Sequence, residues 1–210
     1  MDLSPIVLAG QHVRLEPLSL DHVESLAEVA FDELIWRWTR DRPTTLAELR
    51  GYVERALDAA LAGTEVPFAQ LDLATGRVFG STRFLSIARE ERRLEIGYTW
   101  VGRAFWGRGH NADAKRILLA HAFDALGAHR VEFKTDALNT RSRAALARIG
   151  ATEEGTLRRH LLTYGGRVRD SVYFSVIWEE WPRDREHLAR LVDEALAVRG
   201  AGRPQTRPAR

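Results

Sequence analysis

The sequence predicts a single α/β (α+β) domain built on one mixed sheet, with antiparallel and parallel strands flanked by helices. Three strand-like runs follow one another at residues 66–73, 78–87 and 94–100, and the tight turn Ala74-Thr75-Gly76 joins the first two. A helix–strand–helix–strand order follows, which favours parallel pairing in the same sheet. The 210 residues, 45% of them hydrophobic, suit one core.

The first half predicts one strand and two helices ahead of the three strand-like runs. Residues 12–18 alternate in polarity, and Ser19 is placed to begin a helix that runs to about Ala30. A capping box at residues 45–48 begins a second helix, whose apolar side chains recur at helical spacing as far as residue 61. Pro67 favours an edge position or a late start for its strand.

The second half predicts helices at residues 112–126, 139–149 and 183–198, with strands at 131–135, 152–157 and 168–178. We expect the domain to occupy residues 1–199. The segment 200–210 is rich in Gly, Pro and Arg, a composition typical of disorder.

Composition excludes several classes of function. The net charge is only +2, so a nucleic-acid partner is not expected. The chain has no cysteine, no signal-peptide pattern at its start and no apolar run of about 18 residues, so we expect a cytoplasmic protein without a membrane anchor. The sequence contains no His-Glu-x-x-His spacing, so no metal is expected. It contains no Gly-x-Ser-x-Gly elbow, which disfavours a hydrolase.

The strongest local signal is a glycine turn between a strand and a helix. Trp106-Gly107-Arg108-Gly109-His110-Asn111 follows the strand at 94–100 and opens the helix at 112–126. Such a turn suits an anion, because main-chain N–H groups and the helix dipole point at it, and Arg103 and Arg108 add charge. Alone, the pattern is equally typical of a plain strand-to-helix connection. It is not a phosphate-binding P-loop, since no Gly-Lys-Ser/Thr follows.

A second group of polar residues surrounds the next helix. Asn139 suits a helix N-cap, Ser142 lies about one turn inside, and Glu154 lies at the start of the following strand. Each residue type is also common at such positions without any function. Strand alternation would place Glu95, Gly97 and Thr99 on one face of their strand.

Together these segments resemble the GNAT superfamily of N-acetyltransferases, and most closely its ribosomal-protein N-acetyltransferase (RimJ/RimL-like) branch. The resemblance spans about residues 10–181. It is carried by Gly10-Gln11-His12-Val13-Arg14-Leu15-Glu16-Pro17-Leu18, Glu95-Ile96-Gly97-Tyr98, the glycine turn with Ala112-Asp113-Ala114-Lys115, Asn139-Thr140-Arg141-Ser142 and Gly150-Ala151-Thr152-Glu153-Glu154-Gly155. Trp106 and Asn111 depart from the superfamily's Gln/Arg-x-x-Gly-x-Gly/Ala cofactor signature.

The resemblance implies acetyl-CoA as cofactor and no metal. The cofactor-binding residues that it implies are Trp100, Val101, Trp106, Gly107, Arg108, Gly109, His110, Asn111, Ala112, Asn139 and Ser142. It implies direct attack of an amine on the thioester through a tetrahedral intermediate, with main chain near residues 99–101 facing the oxyanion. Ser142 would protonate the leaving thiolate, and Glu154 would act as base, with Glu95 as its rival.

The acceptor expected from the resemblance is a primary amine, first of all a protein N-terminus such as that of a ribosomal protein. Small amines, including antibiotics and polyamines, stay open, as does a non-catalytic acyl-CoA-binding module. Trp36, Trp38 and Tyr98 are candidates for the acceptor pocket, although aromatic residues are as often part of a core. A homodimer is expected from the family.

Overall fold

A computed structural model, which describes residues 1–201, contains one eight-stranded sheet in the order β1-β2-β3-β4-β5-β6-β8-β7. The strands are β1 (Leu8–Ala9), β2 (Val13–Pro17), β3 (Val66–Asp72), β4 (Val78–Ala88), β5 (Arg93–Val101), β6 (Arg130–Asp136), β7 (Thr152–Leu162) and β8 (Val168–Ile177). The helices are α1 (Val23–Ala30), α2 (Glu33–Trp36), α3 (Leu46–Leu61), α4 (His110–Ala120), α5 (Thr140–Arg148) and α6 (Trp181–Ala201). The mixed single-domain architecture confirms the predicted fold class.

One pair of strands differs from the others in direction. Every other neighbouring pair is antiparallel, whereas β5 and β6 are parallel and are connected through α4. The helical crossover that parallel strands require is therefore α4 itself.

Two separate apolar clusters cover the two faces of the sheet. On the α4 face, α4 and α6 bury the larger cluster, in which Phe68, Phe84 and Phe133 are at most 1% exposed. On the α1 face, helices α1–α3 bury a second cluster that includes Trp36 and Trp100. The second cluster covers β3 to β5, so the α1 face of β6, β8 and β7 is left polar.

The sequence-based boundaries hold for most elements, with a few physical differences. Thr45 caps α3 as predicted, and its hydroxyl accepts from the Glu48 N–H at 3.2 Å. The short elements β1 and α2 were not predicted, because two and four residues carry too little periodicity.

Pro67 is not on an edge strand, since β3 lies between β2 and β4. The strand does not start late either, since β3 begins at Val66 and Pro67 is its second residue, so both expectations for Pro67 are wrong. The proline is accommodated because it lies just past the last pair with β2, Pro17–Phe68, where its carbonyl accepts from the Leu18 N–H at 3.0 Å.

Strand β7 continues five residues beyond the predicted end at 157, through a bulge at Arg159, whose φ is 53°. Helix α6 continues to Ala201, beyond its predicted end at 198, so it includes the first two residues of the segment 200–210 that was predicted to be disordered. The rest of that segment, residues 202–210, lies outside the described residues.

Candidate active site

A wedge opens in the middle of the sheet between β5 and β6. Within residues 1–201, their parallel pairing covers only Arg93–Glu95 against Arg130–Glu132, although β5 continues to Val101 and β6 to Asp136. The carboxyl halves of the two strands therefore part. In α/β sheets such a crevice at the carboxyl ends of strands is the usual ligand position.

The glycine turn lies at the mouth of this wedge, where β5 leads into α4. Gly107 and Gly109 have φ values of 70° and 82°, in the left-handed region that glycine adopts without strain. The Trp106 indole Nε1 donates to the Val101 carbonyl at 2.7 Å, so the Trp106 side chain holds the turn against the end of β5. This is a structural use for a residue that departs from the cofactor signature.

The start of α4 combines a buried anchor with an open N-terminus. The His110 ring is fully buried, and its Nε2 lies 3.0 Å from Asp72 Oδ1, so the side chain ties the helix to β3. A ligand can then meet only the main chain of His110. Asn111 Oδ1 is buried and has no hydrogen-bond partner among the described residues. The main-chain amides, the exposed Arg108 and this unpaired amide oxygen fit a phosphate-bearing, amide-bearing ligand such as acetyl-CoA.

Helix α5 begins on the other side of the wedge, after β6. Asn139 Oδ1 accepts from the Ser142 N–H at 3.1 Å, so Asn139 is the predicted N-cap. The Arg141 guanidinium lies 3.4 Å from the centroid of the Trp106 ring, which brings the starts of α4 and α5 together. Ser142 is partly exposed at this junction.

A bulge in β5 reverses the direction of its side chains at Tyr98. Tyr98 has a φ of 45°, and the register against β4 shifts between Ser81 and Arg83. Ile96 accordingly lies in the cluster on the α4 face, whereas Trp100 lies in the cluster on the α1 face. The expected alternation is therefore wrong at Thr99, whose hydroxyl is 2.7 Å from Thr82 on the α4 face, away from Glu95.

Glu95 lies at the closed end of the wedge, on the α1 face. Its side chain is buried, with 4% of the residue exposed, and its Oε2 accepts from Lys134 Nζ at 3.2 Å. Burial raises the pKa of the carboxyl, and the Lys134 charge opposes that rise. A buried carboxylate with a raised pKa beside a ligand crevice is the usual form of a general base.

Glu154 has the opposite surroundings. It forms an ion pair with Arg130 and accepts from the Ser175 hydroxyl at 2.7 Å. These bonds, the Arg130 bond foremost, lower the pKa of its carboxyl. Strand β7 is three strand spacings from β5, roughly 14 Å at about 4.8 Å each, so Glu154 and Glu95 do not share one site.

The predicted acceptor aromatics divide into one core residue and two surface residues. Trp36 is 2% exposed, donates to the Ala30 carbonyl at 2.6 Å and lies 5.1 Å from the Trp100 ring, so it packs in the core rather than lining a pocket. Tyr98 is 40% exposed at the bulge, under the Arg83 guanidinium. Trp38 is partly exposed between Arg37 and Arg167.

The structure adds residues near Glu95 that the sequence did not single out. Lys134 and Tyr173 lie side by side on β6 and β8, with the ammonium 5.6 Å from the ring centroid. One signal was available, because the chain has only two lysines among 31 basic residues, Lys115 and Lys134, and both are placed beside buried groups.

In the part of the chain that the structure describes, no group of three or more His, Cys, Asp or Glu side chains is arranged to hold a metal ion. None of the helices in that part has the length and apolar character needed to cross a membrane.

The wedge, the glycine turn and the sheet order define a class of protein, and comparisons with known proteins agree. Residues 12–152 match the acetyltransferase (GNAT) domain, so the chain belongs to this family of acetyl-CoA-dependent N-acetyltransferases. The predicted enzyme class is thereby confirmed.

Individual relatives support the same family. The chain is 29% identical to the Bacillus subtilis protein named "Putative ribosomal N-acetyltransferase YdaF", over 84% of this chain and 97% of that one. It is 30% identical to a GCN5-related N-acetyltransferase from Brucella melitensis, with a TM-score of 0.83 over 91% of this chain and 87% of that one. Mycobacterium smegmatis RimJ in complex with CoA-disulfide, at 23% identity, shares the fold with a TM-score of 0.79, over 90% of this chain and 95% of that one.

Proposed function

We propose that the protein transfers the acetyl group of acetyl-CoA to the N-terminal amine of a protein, in the manner of the RimJ/RimL-like branch. The observation that carries the proposal is the wedge, because it puts an anion-binding helix start at its mouth and a buried carboxylate, Glu95, at its closed end. The name of the Bacillus subtilis relative supports a ribosomal protein as acceptor.

The cofactor supplies the acetyl thioester, and the chain supplies everything that positions and protonates. The N–H groups of residues 107–112 and Arg108 bind the phosphates at the start of α4. The main chain of β5 near residues 99–101, which is unpaired toward β6 within the described residues, faces the oxyanion.

The acceptor amine needs a base, since an N-terminal amine has a pKa near 8 and is mostly protonated at neutral pH. Glu95 fits the role of this base better than Glu154 does. Its burial raises the pKa of the carboxyl and it lies in the wedge, whereas Glu154 is held by Arg130. Ser142, at the start of α5 on the opposite side of the wedge, is the proposed donor to the thiolate.

The test is release of free thiol from acetyl-CoA with a set of N-terminal peptides, small amines and polyamines, with mass spectrometry to locate the acetyl group. Acetylation of a peptide α-amine at a rate above that of the small amines is the expected result. Binding of CoA without thiol release for any amine would favour the non-catalytic module. Faster acetylation of a small amine would favour that acceptor class instead.

A further inference from the structure

An open groove lies on the polar α1 face, at the far end of the β7–β8 hairpin from Glu154. We call it the hairpin groove. Its volume is about 360 Å³, and it is lined by Arg40, Arg159, His160, Leu161, Leu162 and Val168. Arg40 belongs to the loop between α2 and α3. The Thr39 carbonyl in that loop accepts from the Tyr164 N–H at 2.9 Å, so the loop and the hairpin are held together.

The groove carries positive charge that the described residues do not neutralise. Arg40 and Arg159 are exposed and form no ion pair within residues 1–201. Asp170 accepts from the Arg159 main-chain N–H at 2.7 Å, and Asp41, which follows Arg40, is paired with Arg55. His160 Nδ1 is buried and has no partner among the described side chains. The guanidinium groups of Arg40 and Arg159 would offer an anionic group both charge and hydrogen-bond donors here.

Arg169 adds a buried charge beside the groove. It is 7% exposed, and its guanidinium donates only to neutral oxygens in the described structure, the Ser171 hydroxyl at 3.0 Å and the Trp38 carbonyl at 3.3 Å. Burial lowers the pKa of Arg169, and the charges of Asp136 and Glu95 oppose that fall. Each of these two carboxylates is already paired, Asp136 with Arg167 and Glu95 with Lys134. A buried cation without its own counter-ion gains most from an anion brought by a ligand.

A row of contacts links the hairpin groove to the proposed base. Lys134 Nζ is 3.2 Å from Glu95 and 5.6 Å from the Tyr173 ring, and the Tyr173 ring is 5.9 Å from the His160 ring. These side chains lie on the same face of successive strands of the sheet, so an extended acceptor peptide that starts at Glu95 and runs along them reaches the groove. The three strand spacings from β5 to β7, roughly 14 Å, correspond to about four extended residues at about 3.3 Å each, and the reach of an Asp or Glu side chain shortens this to about two to four.

We propose that the hairpin groove binds a carboxylate side chain of the acceptor, so that the preferred acceptors are peptides with Asp or Glu about two to four residues beyond the N-terminal amine. This inference rests on the proposed function and narrows its substrate. The same charges repel polycationic acceptors such as polyamines, and they disfavour the protonated form of an amine bound nearby.

The experiment uses two peptides that differ only by Glu against Gln at the third and fourth positions. We expect kcat/KM to be roughly tenfold higher for the Glu peptide, mainly through KM, and the difference to shrink in high salt. The double variant Arg40→Glu with Arg159→Glu should remove this preference while the Gln peptide keeps its rate. Both positions are exposed, and Arg159→Glu exchanges one side chain for another at the same backbone conformation.

The matched control is Arg50→Glu with Arg89→Glu, which makes the same change of charge at exposed positions outside the groove. It should keep the preference. Equal kcat/KM for the two peptides in the wild type, a preference that survives in the groove variant, or an equal loss in the control would each overturn the proposal.

Two further measurements distinguish a peptide site from a nucleic-acid site, and the groove from the catalytic centre. Inhibition of the acetylation of both peptides by a single-stranded oligonucleotide, relieved only in the groove variant, would assign the groove to nucleic acid and overturn the proposal.

Fluorescence anisotropy of labelled peptides measures binding without turnover. Tighter binding of the Glu peptide in a protein that acetylates no amine would support the groove while refuting the proposed function, and equal binding with active turnover would do the reverse.

Discussion

At the scale of single residues, Glu95 and Glu154 show how different surroundings shift the pKa of the same side chain in opposite directions. Glu95 is desolvated and faces one ammonium, whereas Glu154 is fixed by a guanidinium and a hydroxyl. The first arrangement raises the pKa of the carboxyl through burial, and the second lowers it through the Arg130 and Ser175 hydrogen bonds. Sequence alone ranked them in the other order, because strand neighbours are not visible in it.

The two roles are separable by a pH–rate profile. For Glu95→Gln we expect kcat/KM to fall roughly 10²–10⁴-fold and the acid limb to disappear, since that limb reflects protonation of the base. In the wild type the limb should lie above the pH range of an ordinary Glu, because the pKa of Glu95 is raised. Glu154→Gln should keep the limb. A profile unchanged in Glu95→Gln and altered in Glu154→Gln would reverse the assignment.

Ser142 allows a test that separates chemistry from binding. Its main-chain N–H, not its hydroxyl, makes the bond to the Asn139 cap, so Ser142→Ala should leave α5 intact. We expect turnover to drop by about 10²-fold, at the low end for general acids because a thiolate is a good leaving group, with CoA affinity nearly unchanged. Calorimetry with CoA and steady-state rates together measure this. Wild-type turnover would reduce Ser142 to a residue of the helix start.

At the scale of secondary-structure elements, helix α4 buries a charged side chain, Lys115, on the side that faces the sheet. Lys115 is 7% exposed, and its ammonium lies 5.5 Å from the Phe133 ring, with no ion pair in the described part of the chain. Desolvation lowers the pKa of this lysine from 10.5 to about 8. The helix therefore retains a charge that its packing opposes.

The consequence for stability has a definite sign. At neutral pH both states are protonated, and the fall in pKa from 10.5 to about 8 corresponds to a cost of roughly 3 kcal/mol in the folded state. The cost is complete below pH 8 and disappears as pH rises to about 10.5, because the folded protein loses this proton first. Stability should therefore rise with pH in that window.

Lys115→Met should remove both effects, since it keeps the length of the side chain without the charge. We expect the free energy of unfolding at pH 7 to rise by roughly 1–3 kcal/mol, measured by urea denaturation, and the gain to vanish near pH 10.5. A variant that is less stable at pH 7, or whose curve runs parallel to the wild type, would mean that Lys115 has a stabilising partner in solution.

Elements also show which features sequence can predict. Local signals fixed α3, because Thr45 caps it and its apolar residues recur at 3.6-residue spacing. The glycine turn and the N-cap at Asn139 were likewise correct. The bulge at Tyr98 and the point where β5 leaves β6 were not predictable, since both depend on pairing between strands distant in sequence.

At the scale of the whole molecule, net charge gave an incomplete picture of the surface. The chain is close to neutral, yet folding brings Arg40 and Arg159 to one groove from two distant segments, with the buried Arg169 next to it, opposite Leu161 and bonded to the Trp38 carbonyl. The wedge is also a property of the whole sheet, because it needs one parallel pair inside an otherwise antiparallel array. Binding at the wedge should accordingly raise the free energy of unfolding of the whole domain.

We expect CoA to stabilise the protein by about 2.7 kcal/mol at a concentration 100 times its Kd, read as a rise in Tm. Gly109→Asp is a poor probe of this effect, since a Cβ there lies 2.7 Å from Ala195 Cβ. Asn111→Asp is better, because it keeps the shape and places a carboxylate at a helix start that favours it. It should cost the free protein little stability, because the helix dipole offsets part of the cost of burying a charged oxygen, and it should remove most of the CoA-induced rise.

Ala47→Asp provides the matched control, since residue 47 has the same position in α3 that residue 111 has in α4. Its Tm should rise with CoA as in the wild type. An equal response to CoA in Asn111→Asp would mean that the phosphates bind elsewhere.

The outer edge of β7 has a consequence for the behaviour of the protein in solution. An 11-residue strand at the end of a sheet is a template on which another chain can add, which is how edge strands nucleate fibres. Here the edge is broken by register shifts and by the left-handed conformation of Arg159, and it carries the charges of Glu153, Glu154 and Arg158. An irregular, charged edge of this kind disfavours the addition of another strand, so we expect the hairpin to oppose edge-to-edge polymerisation.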